Sequence, residues 1–213
     1  MEEHRKTLNL KLLNNAAAAL RANRFEAEVY PDGRAAAAAL LKLAGTGRKV
    51  GLGGCMTAAA LGLPEALAAA GNSVITHNKP GLTPEEKRSV WLAALASDLY
   101  IASPQAVTLD GKLIFVDGNG NRGAAVTWGP RKLALLAGVN KLAKNQEEGL
   151  WRARNIAAIA NNIRLSKANP CVTAGRCVDC ASPARICNAV TLLWKRPAVS
   201  DILVLLVNED LGY

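Results

Sequence analysis

The sequence predicts an α/β chain: a mainly parallel β-sheet with helices packed on both of its faces. Three observations predict it. Strand-like and helix-like segments alternate along the chain. Several strands, notably those around 99–103, 131–139 and 201–208, are apolar throughout rather than at every second residue, as strands covered on both sides are. Half of the residues are hydrophobic, many of them alanine, with four Trp, three Tyr and two Phe, a composition suited to helices lying close against a sheet.

The elements follow in order. Thr7 to Arg24 reads as a helix, because Leu10, Leu13, Ala16, Ala17 and Leu20 recur at helical spacing. Glu26 to Pro31 is a short strand, and after the Asp32-Gly33 turn Arg34 to Leu43 is a second, alanine-rich helix. Arg48 to Gly54 is a strand running into glycines, and a helix begins at Thr57, with Pro64 ending it or starting another. Gly71 to Asn78 is the next strand. Thr83-Pro84-Glu85-Glu86 starts a helix with an N-cap, a proline in the first turn and two acids beside the dipole. Leu99 to Ser103 is a strand. Lys112 to Gly118 and Ala124 to Gly129 read as a strand pair around a glycine- and asparagine-rich turn, an antiparallel excursion. Arg131 to Val139 is an apolar strand, Asn145 to Leu165 a long basic helix, and Asp201 to Asn208 a last buried strand. We read one domain over residues 1–213, with the cysteine-rich loop 170–188 as an insertion.

That loop holds Cys171, Cys177, Cys180 and Cys187, spaced C-x5-C-x2-C-x6-C; the rest of the chain has one cysteine, Cys55. Thiolates repel one another unless a positive centre lies between them, so a metal or an iron–sulfur cluster is the economical reason to gather four. The spacing matches neither paired zinc knuckles nor the bacterial ferredoxin run. An iron–sulfur cluster, zinc as its alternative, disulfides or a redox dithiol, and unliganded thiols all stay open. Ser182-Pro183 predicts the start of a helix toward Trp194, which puts Cys187 in its first turns.

The formal charge of +9, from 26 basic and 17 acidic residues, suits an anionic small molecule. The basic residues are scattered, and no nucleic-acid module accompanies them, so nucleic acid is not the expected partner. The N-terminal stretch lacks the apolar core of a secretory signal, and no stretch is apolar for long enough to span a bilayer. A cytoplasmic, reducing location is expected, which favours a metal over disulfides. A homo-oligomer is compatible with all of this.

Three loops follow strands, where open α/β sheets bind ligands. In the first, Gly51, Gly53, Gly54, Cys55 and Thr57 form a glycine turn opening a helix, without the third glycine of a dinucleotide fingerprint. Cys55 is there as a nucleophile or as a small buried residue. The second carries Asp117, Asn119, Asn121 and Arg122, with Arg122 pairing either Asp117 or a substrate carboxylate or phosphate. The third carries Asn140 and Lys141, and a lysine there binds an anion, forms a Schiff base or lies in solvent. His77, after the strand SVIT, is read as a hydrogen-bonded polar residue rather than a catalyst. No hydrolase triad and no paired carboxylates are in view.

GLGGCMT, then SPQAVTLDGKLIFVDGNGNRGAAVTWGPRKLALLAGVNKL, then NPCVTAGRCVDCASPARICN and VNEDLGY, in this order, resemble the LUD-domain (lactate-utilisation) family, in particular a subgroup with a C-terminal four-cysteine motif. The resemblance implies the fold of sugar-phosphate isomerases, CoA transferases and 5-formyltetrahydrofolate cyclo-ligase. It implies a pocket for an anionic small molecule at the strand ends. It also implies a redox or electron-transfer accessory role in organic-acid metabolism, beside iron–sulfur partner proteins. The alternative it leaves is an isomerase-, transferase- or cyclo-ligase-like enzyme with a structural metal clip. The chain departs from the family in having Cys55 where relatives tend to have Ser or Thr, and Gln105-Ala106-Val107-Thr108 where they often have Asn-Ala-Ile-Thr.

Overall fold

The computed structural model of the chain describes residues 3–213. Helix α1 (Glu3–Ala22) leads to strand β1 (Glu26–Tyr30), α2 (Gly33–Ala44) and β2 (Lys49–Leu52). Two short helices, α3 (Met56–Ala60) and α4 (Leu63–Ala69), precede β3 (Ser73–Thr76), α5 (Pro84–Leu95) and β4 (Leu99–Ala102). Then come β5 (Ala106–Thr108), β6 (Leu113–Asp117), α6 (Asn121–Trp128), β7 (Lys132–Gly138) and the two-residue β8 (Leu142–Ala143). Helices α7 (Gln146–Arg152) and α8 (Ala158–Arg164) are joined by a π-helical turn, Ala153–Ala157. Helix α9 (Pro170–Ala174), β9 (Ala189–Leu193) and β10 (Asp201–Val207) complete the chain.

Six strands form one sheet in the order β1-β10-β7-β4-β2-β3, and every pairing in it is parallel. The side-chain alternation of each strand divides the core in two. Leu133, Leu135, Val204 and Leu206 face α1 and α6, while Ala134, Leu136, Leu205 and Val207 face α2, α3 and α4. Strands buried on both faces must be apolar at every position, which is why β4, β7 and β10 show no alternation. The expected mainly parallel, helix-covered sheet is therefore present.

A second sheet, β8-β5-β6-β9, lies over the α1 side of the first: Val107, Leu113, Phe115 and Leu193 enter the same cluster as Leu133 and Leu135. Its outer face, with Ala106, Ile114 and Val116, packs on Leu150 and Ala153 of the α7 region and on Cys187.

Local capping explains several helix starts. Asp32 accepts from Ala35 N at 2.7 Å, and Thr83 and Glu86 form a reciprocal capping box on α5. The helix expected at Thr57 is α3, and Pro64 starts another: it sits in the first turn of α4, behind Gly62, which is left-handed (φ 62°).

Two expectations fail. Residues 124–129 are not a strand but the body of α6. Gly120 takes a left-handed φ of 73°, and Asp117 Oδ2 accepts from Gly123 N at 2.8 Å, so the polar loop starts a helix instead of a hairpin. The partners of β6 are β5 and β9, both antiparallel. Nor does Ser182-Pro183 open a helix. Ser182 Oγ accepts from Ala184 N at 3.2 Å in a local turn, and the chain then joins β6 as β9. Cys187 thus has no helix dipole to favour its thiolate.

Candidate functional site

Parallel strands β2, β4 and β7 all end at the same edge of the sheet, and their following loops meet there. Between these loops, α6 and α8 lies a cavity of about 400 Å³. Of the residues singled out in the sequence, Gly53, Gly54, Cys55, Thr57, Asp117, Asn119, Asn121, Arg122 and Lys141 line it. Gly51 and Asn140 do not. Gly51 is packed shut: a Cβ there would stand 2.8 Å from Ser97 Oγ. Asn140 instead ties down the C-terminal segment, donating from Nδ2 to Gly212 O (3.2 Å) and accepting at Oδ1 from Leu211 N (3.1 Å).

The glycine turn is shaped by what lies against it. A Cβ on Gly53 would stand 2.5 Å from the Tyr100 hydroxyl, and Gly54 is left-handed (φ 67°) under the His77 ring. Cys55 caps α3, its Sγ accepting from Ala58 N at 3.3 Å. Burial pushes its pKa up, against the pull of Lys141 and Arg122. The structure has it as a buried capping thiol, and burial disfavours its thiolate.

Arg122 resolves toward Asp117. Its Nε and Nη2 contact Asp117 Oδ1 at 3.0 and 2.8 Å, Nη2 donates to Val116 O (2.9 Å), and Nη1 donates to Ser103 O (3.1 Å). The guanidinium also lies 5.7 Å from the centre of the Phe115 ring. Of its five N–H groups, a second one on Nη1 is left over.

Lys141 is the unexpected residue. It is 4% exposed. Nζ donates to Ser103 Oγ (2.7 Å) and Thr57 Oγ1 (3.1 Å), and among the described residues no carboxylate pairs with it. Burial lowers its pKa to about 8; Arg152 and Arg122 push the same way, while Cys55 opposes them. Ser103, which the sequence reading passed over, touches both cations: its hydroxyl takes Lys141 and its carbonyl takes Arg122.

His77 also departs from expectation. Among the described residues, its Nδ1 and the Nε1 of Trp91 are buried without a hydrogen-bond partner, and the two rings meet edge-on at 5.5 Å. Burial lowers the His77 pKa, with Lys87 and Arg164 adding to it.

The cysteine loop borders this region. Asn188 N donates to Asp117 O (2.9 Å), its Nδ2 to Gly118 O (3.0 Å), and Ile186 lines the cavity. All four cysteines are free. Cys171 is buried, with Asn162 Nδ2 donating to its Sγ at 3.6 Å. Cys187, Cys177 and Cys180 are half-buried, and the last two lie within electrostatic reach of Cys187. Arg185 braces them, donating from Nη1 to Cys180 O (2.6 Å) and from Nε to Cys187 O (3.2 Å); Asp179 pairs with both Arg185 and Arg154. Among the described residues, no three His, Cys, Asp or Glu side chains are arranged to hold a metal ion. In this arrangement the four thiols do not fit a metal or cluster as one ligand set.

The model of the LUD domain family matches residues 13–207. The chain belongs to the LUD domain family. Membership supports a role related to lactate utilisation. The fold is also similar to a crystal structure of a DUF162 family protein from Deinococcus radiodurans, with a TM-score of 0.53 over 93% of this chain and 97% of that one, at 14% identity. No curated protein matches the chain. Among the described residues, no helix of this LUD protein is long and apolar enough to cross a membrane.

Proposed function

We propose that this LUD protein binds a small organic anion of lactate-type metabolism in the cavity at the strand ends. One observation carries the reading. Five cationic side chains, Lys79, Lys87, Arg122, Lys141 and Arg164, line the cavity against one acidic side chain, Asp117. That carboxylate is already engaged by Arg122 and Gly123 N. A buried cation without a carboxylate is costly unless an anion joins it, and a cavity of this size accommodates a small carboxylate. Thermal denaturation with millimolar lactate, pyruvate or acetate against matched chloride tests this. A rise in melting temperature that Lys141→Met abolishes is expected. If no carboxylate stabilises the wild type beyond chloride, the reading fails.

The redox accessory role is a second reading, supported by the closeness of both Cys177 and Cys180 to Cys187. It requires Cys171 to leave Asn162 and turn toward the other three. Protein purified without oxygen would then contain iron with sulfide, or zinc, and Cys177→Ser would lose it. Metal-free protein with four titratable thiols in that loop would dismiss it. A cytoplasmic location belongs to the same proposal.

A further inference from the structure

We infer that Lys141 is a covalent centre, whose Nζ forms an imine with the carbonyl carbon of a 2-oxo acid held in the cavity. This rests on the reading of the cavity as a site for a small organic anion and names its substrate class. The geometry selects the residue. Lys141 lines the cavity, is fixed by the hydroxyls of Ser103 and Thr57, and has no carboxylate to hold its proton among the described residues. Arg122 and Arg152 lie close enough to act on its charge. A desolvated lysine beside other cations is the usual way a protein keeps an amine nucleophilic near neutral pH. At about pH 8 roughly half of Lys141 is neutral, against well under a hundredth of an ordinary lysine.

The same arrangement selects the substrate. Ser103 joins Lys141 through its hydroxyl and Arg122 through its carbonyl. A carbonyl presented to Nζ therefore has the remaining Arg122 N–H nearby for a carboxylate on the adjacent carbon. The step balances without an oxidant. The Nζ lone pair adds to the carbonyl carbon, the nitrogen loses a proton and the carbonyl oxygen gains one. The carbinolamine hydroxyl then takes up a second proton, supplied from solvent, and leaves as water, so that the nitrogen lone pair forms the C=N bond of a protonated imine. The Ser103 hydroxyl, 2.7 Å from Nζ, is placed to pass the proton.

The full chain is incubated with pyruvate, and separately with 2-oxoglutarate, then reduced with cyanoborohydride and mapped by peptide mass. We expect one secondary amine, at Lys141, labelled on the order of a hundredfold faster than exposed lysines, with a rate that rises with pH around the midpoint of about 8. Lys141→Met and Lys141→Arg should each remove it. Labelling spread over surface lysines, or none with either acid while these acids still raise the melting temperature, overturns the imine and leaves the anion site standing. If neither acid nor any simple carboxylate raises it, the anion site falls as well.

Discussion

Two cations, Lys141 buried and Arg122 largely so, stand on either side of Ser103, and they have opposite fates. Arg122 has Asp117 beside it, two carbonyls to donate to and an aromatic ring underneath. Lys141 has two hydroxyls and, among the described residues, no carboxylate. The sequence leaves Arg122 to pair either Asp117 or an anionic substrate, and leaves Lys141 to bind an anion, form a Schiff base or lie in solvent; in the structure Arg122 takes Asp117 and Lys141 is buried. A buried charge that meets an opposite charge within its own chain is held by the scaffold, even where, as in Arg122, one N–H is left over. One left short of an opposite charge is available for a ligand.

The largest test breaks the Arg122 half. Asp117→Ala leaves a guanidinium buried without its carboxylate and frees the α6 start, so unfolding in urea should lose about 3–5 kcal/mol. A loss near zero would mean that Arg122 reaches solvent and that the contrast is false.

Next is Lys141→Met. Removing an uncompensated buried charge should leave stability unchanged or raise it, up to a ceiling of about 3 kcal/mol set by the distance of its pKa from the usual lysine value. The pH dependence has a definite sign. Because the folded state holds this proton less tightly than the unfolded one, the destabilisation is complete below about pH 8. It is relieved as pH rises toward about 10.4. The stability of wild type minus variant should therefore climb across that window; a flat difference would mean an ordinary, solvated amine.

The smallest effect sharpens the comparison. Ser103→Ala deletes the hydroxyl that serves Lys141 and keeps the carbonyl that serves Arg122. It should cost about 1 kcal/mol and shift the Lys141 titration, while Asp117→Ala costs as much in its background as in the wild type. Coupling between Ser103 and Asp117 in such a double-mutant cycle would merge the two halves.

Much of the parallel body was legible because its signals are local. Strands β4, β7 and β10 are apolar on both faces, and Thr83-Pro84 with Glu86 caps α5 through its own atoms. The second sheet was largely illegible because its members are too short to show a period: β8 has two residues and β5 three. Residues 182–194 misled for a related reason. A Ser-Pro pair satisfies the same rule in a turn as at a helix start, and the choice was made elsewhere, by β6 offering its free edge to Val190 and Thr191. The site was legible as loops after strands, which brought Gly53, Gly54, Thr57, Asp117, Arg122 and Lys141 to one cavity. Ser103 had the same signal, being the residue that follows β4. Its partners, however, lie 19 and 38 positions away, a relation no window contains.

The π-helical turn at Ala153–Ala157 has a bearing on how the cavity wall varies. Upstream of it, Arg152 is anchored to Asn140 O; downstream, Asn161 and Arg164 reach the cavity. Such a turn holds one residue more than an α-helix needs. Excising a single alanine there should close the bulge into regular winding, because the wide turn already absorbs the extra residue. Asn161 and Arg164 would keep their place on the wall while the backbone between them and Arg152 tightens. A one-residue change of length at this spot is thus taken up without turning the far half of the helix away from the ligand chamber.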